Sequence, residues 1–205
     1  MIPAPEALAR LREGNDRFAA NLGSGEALVS HSRRAELPKE QLPFAISLGC
    51  SDARVPAEIV FDQGLGDLFV IRVAGNIVAP SQVGSVEFAA SRFNTRLVVV
   101  LGHSQCGAIQ ATLEELQQPV ENQSRNLQAI VDRIRPSVEG LLKSELRLDL
   151  NELAHQAVRA NVRASVDHLR HGSEILEQLI RNEGLRVIGA EYSVETGVVE
   201  FLDEV

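Results

Sequence analysis

The sequence predicts an α/β fold. A central, mostly parallel β-sheet of about four parallel strands and a C-terminal antiparallel strand is flanked by helices, with an N-terminal helical arm. Three observations carry this. Short apolar runs rich in β-branched residues alternate with longer stretches of helical periodicity, the pattern of βαβ units. Two of those runs, Phe44–Gly49 and Leu97–Gly102, end in glycine and lead straight into polar motifs. Near the C-terminus, Thr196-Gly197 offers a turn that lets the last run pair back antiparallel.

The elements follow in chain order. Residues Pro5 to Leu22 read as an amphipathic helix with Leu8, Leu11 and Phe18 on one side, weakened by Gly14. Gly23 to Pro43 is polar and often broken, so it reads as an irregular arm. The first strand ends at Cys50. Pro56 to Phe61 is a short helix or turn, with proline at a tolerated first-turn position, and Asp62 to Asp67 is a turn. Leu68 to Val73 is the second strand, broken at Ala74-Gly75-Asn76. Ser81 to Phe93 is a helix burying Val83, Val86 and Ala90. Leu97 to Gly102 is the third strand. Helices follow from Cys106 to Gln117 and from Asn122 to Ile134, the second ended by Pro136. Asn151 to His171 is a long helix, interrupted by Gly172, and Glu174 to Asn182 is another. Leu185 to Ala190 and Val198 to Leu202 complete the sheet. No linker divides the chain, so residues 1–205 read as one domain whose first 40 residues form the helix and arm.

Bulk properties narrow the function. The chain has 205 residues, enough for a sizeable core. Its net charge of −8 argues against nucleic acid or an anionic membrane as partner. No apolar stretch is long enough to span a bilayer. The N-terminus lacks the basic and apolar regions of a secretory signal. There are two cysteines, each in a polar motif, which suits ligands rather than a disulfide and points to the reducing cytoplasm.

Those motifs hold the chemistry. Cys50 opens Cys-Ser-Asp-Ala-Arg, and Cys106 closes His-Ser-Gln-Cys after the third strand. Functional residues of parallel sheets gather beyond the carboxyl ends of the strands. Two thiols and the His103 imidazole delivered there make a soft metal site, for which zinc is the first choice. Asp52 is a possible fourth ligand. Arg54, two residues on, can instead take the Asp52 carboxylate in a bidentate pair. In one case the metal keeps an open position and is catalytic; in the other it is closed. Two thiolates cancel much of the ion's charge, so activity is expected to favour mildly alkaline pH.

At Cys50–Pro56 (Cys-Ser-Asp-Ala-Arg-Val-Pro) and Gly102–Ala108 (Gly-His-Ser-Gln-Cys-Gly-Ala), with Gly66–Arg72 between, the sequence resembles a β-class carbonic anhydrase. The resemblance implies reversible hydration of carbon dioxide to bicarbonate and a proton by zinc-bound hydroxide. It implies Cys50, His103 and Cys106 as ligands, an Asp52–Arg54 catalytic dyad controlling access to the metal, and Asp52 as fourth ligand in the closed form. It also implies a homodimer or tetramer of dimers, with the N-terminal helix packing on a neighbour. By alignment, Gln41, Phe69, Phe88 and Gly107 fall at substrate-pocket positions, and Tyr192 resembles a tyrosine near the C-terminal strand. Ser47 stands where bicarbonate-inhibited members carry tryptophan. That difference and Gln41 lean toward the open form.

Two rivals use the same residues. One hydrolyses carbon disulfide or carbonyl sulfide at this site. The other is a non-catalytic scaffold stabilised by zinc in a closed Cys₂HisAsp site; Arg54 argues against it, since a structural site needs no arginine competing for its aspartate. His155, His168 and His171 do not share one helix face, which excludes a second metal site among them.

Overall fold

The computed structural model describes residues 2–23, 41–118 and 124–202. Five strands, β1 (Ala45–Gly49), β2 (Leu68–Arg72), β3 (Leu97–His103), β4 (Arg186–Tyr192) and β5 (Val199–Phe201), form one sheet in the order β2-β1-β3-β4-β5. β1 pairs in parallel with β2 and β3, and β3 with β4; β5 alone is antiparallel. This is the architecture the alternating pattern predicts. The chain first steps from β1 outward to β2, then returns to the other side of β1 to place β3. Beyond the carboxyl ends of β1 and β3 lies the crevice where the winding reverses, the usual ligand position in such sheets.

Helices cover both faces: α1 (Ala4–Ala19), α2 (Ala57–Val60), α3 (Pro80–Arg92), α4 (Gly107–Gln117), α5 (Arg125–Val138), α6 (Leu150–His171) and α7 (Glu174–Glu183). Strand residues alternate between them, as a period of two requires. Ala45, Leu97, Val99 and Leu101 pack toward α1 and α2 with Ala4, Ala7 and Leu11. Ile46, Leu48, Val98 and Val100 pack on α3, α6 and α7 with Val86, Val162, Val166 and Leu176. A third apolar cluster sits at the carboxyl end of the sheet. It contains Ile77, Ile109, Ile134, Val138 and Val158, together with Cys50 and Cys106.

Three details correct or sharpen the sequence reading. Pro136 does not end its helix: α5 continues to Val138. Proline removes one backbone donor there, but Ile134 and Val138 on either side are completely buried and hold the last turn in place. Ser124 caps its start, accepting from the Asn126 N–H at 3.3 Å; the expected start at Asn122 lies outside the described residues. Gly14, expected to weaken the first helix, is required there. A Cβ would lie 1.8 Å from the Phe61 carbonyl oxygen, so glycine is what lets α1 approach. Beside it, the buried Asn15 amide donates to the carbonyls of Val60 (3.0 Å) and Gly197 (2.9 Å), and its oxygen accepts from the Val199 N–H at 2.8 Å. α1 thus lies on its own chain's sheet. Most of the arm expected from Gly23 to Pro43 lies outside the described residues.

Candidate metal centre

β1 ends at Gly49, so Cys50 is the first residue beyond its carboxyl end. Its loop is held by Arg72 from the end of β2, which donates from Nε to the Cys50 carbonyl at 2.9 Å and from Nη2 to the Asp52 carbonyl at 2.5 Å. His103 is the last residue of β3, and the ladder continues as the Ser104 N–H donates to the Tyr192 carbonyl at 2.9 Å. Cys106 is the N-cap of α4. The Cys50 and Cys106 sulfurs and a His103 ring nitrogen all lie within 4.8 Å of one another, and all three residues are buried. Among the described residues no other group of three such side chains could hold a metal.

The donor set fits a soft divalent cation. The cysteines form no disulfide. His103 Nδ1 lies 2.8 Å from the Ser104 carbonyl, an acceptor only, so Nδ1 carries the proton and Nε2 presents its lone pair. That Nε2 is buried with no hydrogen-bond partner, which is costly in a chain that does not use it. The Cys106 thiol draws the Cys50 thiol well below its ordinary value, and the Gly75 N–H, 3.4 Å from Cys50 Sγ, adds to this. Cys50 in turn, with burial, pushes the Cys106 thiol up. Sulfur carrying negative charge, a second thiol beside it and an orphaned imidazole nitrogen together attract a cation, and their chemistry suits zinc.

Gly75 has φ +69°, in the left-handed region, and a Cβ there would be 2.8 Å from Ile134 Cδ1. The turn it forms is clamped from α6: Asn161 Nδ2 donates to the Gly75 carbonyl at 2.8 Å, and Ser165 Oγ to the Asn76 carbonyl at 3.1 Å. These bonds aim the Gly75 N–H at Cys50.

Asp52 is turned to Arg54. Arg54 Nε donates to Oδ1 at 2.9 Å, Nη2 to Oδ2 at 2.8 Å, and the Arg54 backbone N–H to Oδ1 at 2.9 Å. The guanidinium thereby holds the Asp52 carboxyl far below the usual carboxylate range. Oδ2 nevertheless lies only 3.9 Å from His103 Nε2.

The other expected site residues are placed less directly. Gln41 is exposed. Phe69 and Phe88 meet each other at 6.2 Å between ring centres and Phe93 at 6.0 and 5.5 Å. Phe88 keeps 53% of its surface exposed. Gly107 opens α4 at the surface, where a Cβ would meet nothing within 4 Å. Sequence reasoning missed Asn161, Gln105 and Glu195. Asn161 left a trace, a polar residue one turn beyond Ala157 on the buried stripe of α6. Gln105 and Glu195 left none, since both are exposed polar residues in turns.

A parallel sheet with a soft Cys–His–Cys cluster at its switch point defines an α/β protein with a cluster that could hold a metal ion. A family model described as carbonic anhydrase matches residues 45–199. The carbonic anhydrase of Mycolicibacterium smegmatis is 39% identical over 194 residues, covering 93% of this chain and 89% of that one. Carbonic anhydrase 2 of Mycobacterium tuberculosis is 36% identical, over 95% of this chain and 91% of its own. In the crystal structure of the β-carbonic anhydrase CafA of Aspergillus fumigatus, 25% identical, the matched region covers 97% of this chain and 90% of that chain with a TM-score of 0.76. A structure from a report on two tetrameric β-carbonic anhydrases of Sordaria macrospora, also 25% identical, covers 84% and 88% with a TM-score of 0.70. The chain belongs to the β-class carbonic anhydrase family, whose reaction is the hydration of carbon dioxide.

Proposed function

We propose that Cys50, His103 and Cys106 hold zinc, and that Asp52 and Arg54 form the dyad that keeps one position of the metal open for the hydration of carbon dioxide. The carrying observation is the bidentate Asp52–Arg54 pair beside a buried Cys–His–Cys cluster. Zinc bound there supplies Lewis-acid activation of water near neutral pH. The chain's own residues set the conditions. Ser104 fixes the His103 tautomer, Gly75 donates to the Cys50 sulfur, and Arg72 fixes the loop between Cys50 and Asp52.

Asp52 is an acceptor at every working pH, because Arg54 holds it ionised. A carboxylate that acidic is a poor proton acceptor but a good hydrogen-bond acceptor. Its role is therefore to orient a donor beside the metal position and, when released by Arg54, to close it. Val73, Ile77, Ala108 and Ile109 supply apolar wall around the cysteines, suited to a small apolar substrate. Gln41, Phe69, Phe88 and the Gly107 N–H are proposed as further pocket groups. The exposed Gln41 and Phe88 of one copy are available to the site of another, which accords with assembly into a dimer or a tetramer of dimers.

Stopped-flow measurement of carbon dioxide hydration on zinc-loaded protein tests this. Acceleration that grows from pH 6 to pH 9 is expected, because two thiolates weaken the acidifying power of the ion. No acceleration at any pH between 7 and 9 contradicts the reading and favours the scaffold; a flat rate contradicts the electrostatic account.

A further inference from the structure

One carboxylate of the β4–β5 turn grips the loop between His103 and Cys106. Glu195 Oε2 accepts from Ser104 Oγ at 2.6 Å and from Ser193 Oγ at 3.1 Å, and Oε1 accepts from Gln105 Nε2 at 2.5 Å. These bonds, that of Ser104 first, hold Glu195 below its ordinary value, so it is ionised and accepts only. An amide whose NH₂ is committed to such a group must turn its oxygen the other way. That oxygen faces Arg54, whose Nη1 donates to Gln105 Oε1 at 3.4 Å while Nη2 donates to the Gln105 carbonyl at 3.2 Å. Gln105 has φ +55°, a conformation few residues other than glycine adopt, which brings its carbonyl and side chain to the guanidinium together.

The guanidinium is a rigid plane with donors on two edges. Asp52 occupies one and Gln105 the other. Arg54 has 45% of its side chain exposed, so water competes for it once the Gln105 edge is loosened. A less firmly held Arg54 releases Asp52, whose carboxylate already lies 3.9 Å from His103 Nε2.

We propose that Glu195 is a positioning residue: by fixing the orientation of the Gln105 amide it holds Arg54 in place, and so sets how often Asp52 stays off the metal. This rests on the Asp52–Arg54 gate proposed above.

The test uses cobalt-loaded protein and azide, an anion that needs the open position. Its binding is read from the visible absorption of the cobalt at one pH near the lower edge of activity. Apparent affinity scales with the open fraction. Glu195→Ala is expected to weaken azide binding by up to about fivefold, the weight of one solvent-accessible hydrogen bond, the full factor appearing where the closed form dominates. In the Asp52→Asn background, with no carboxylate to compete, the same substitution is expected to change it less than about twofold. Unchanged azide affinity in Glu195→Ala overturns the proposal, as does equal weakening with and without Asp52. The gate itself fails separately if Asp52→Asn leaves azide binding unchanged at every pH from 6 to 9, and the proposal falls with it.

Discussion

Replacing Gly75 by alanine is expected to reduce stability and metal affinity together. Gly75 sits at φ +69°. A left-handed conformation costs a residue with a Cβ about 1–2 kcal/mol. The new methyl would lie 2.8 Å from Ile134 Cδ1 and 3.1 Å from Ala108 Cβ, so the buried Ile134 side chain must shift. Overpacking of this kind costs about 1–3 kcal/mol. The sum, about 2–5 kcal/mol, is readable from urea unfolding of the metal-free protein. Ile134→Val deletes the nearest offending atom and nothing else. Gly75→Ala/Ile134→Val is therefore expected to lose about 1 kcal/mol less than the two single losses added together. The Gly75 N–H also points at Cys50 Sγ, 3.4 Å away. Disturbing such an outer contact weakens metal binding roughly tenfold or more, measurable by competition with a chelator. A loss below about 0.5 kcal/mol, well under the steric estimate, or strictly additive single and double variants, would refute the steric account of this turn.

Further consequences can be checked independently. Asp52 has its folded value depressed by Arg54, so it contributes stability above the ordinary carboxylate range that is lost as pH falls through that depressed value. Arg54→Gln is expected to move the Asp52 titration upward, followed by carbon NMR of the labelled carboxyl; a downward shift or none contradicts the pair. Asn15→Ala leaves two carbonyls and the Val199 N–H without their partner inside the α1 contact. It is expected to destabilise the fold by about 2–4 kcal/mol in denaturant titration, and a loss under about 0.5 kcal/mol would mean that water replaces those bonds.

The sheet was legible because its physics is local. Val98, Val99 and Val100 are all buried on both faces of β3, so a short unbroken apolar run is what a central parallel strand must look like. The convergence of Cys50, His103 and Cys106 was legible because the two motifs that carry them each follow such a run, and strand ends converge at the switch point. What escaped depends on contacts remote in sequence. Gly14 reads in sequence as a weak helix residue, because the Phe61 carbonyl that requires it lies far along the chain. Pro136 looked like a stop signal, yet burial of Ile134 and Val138 outweighs one missing hydrogen bond. Residue types and spacing left Asp52 with two partners, metal or Arg54; the described geometry pairs it with Arg54. Glu195 reaches its partners 90 and 91 positions earlier only because β3 and β4 lie side by side.

The most direct measurement is zinc-edge X-ray absorption on purified protein whose metal content has been quantified. One zinc per chain is expected, with two sulfur neighbours at about 2.3 Å and lighter atoms completing the shell. Protein that takes up no zinc after exposure to it, or holds it through fewer than two sulfurs, would contradict the assignment of Cys50 and Cys106 and the function built on them.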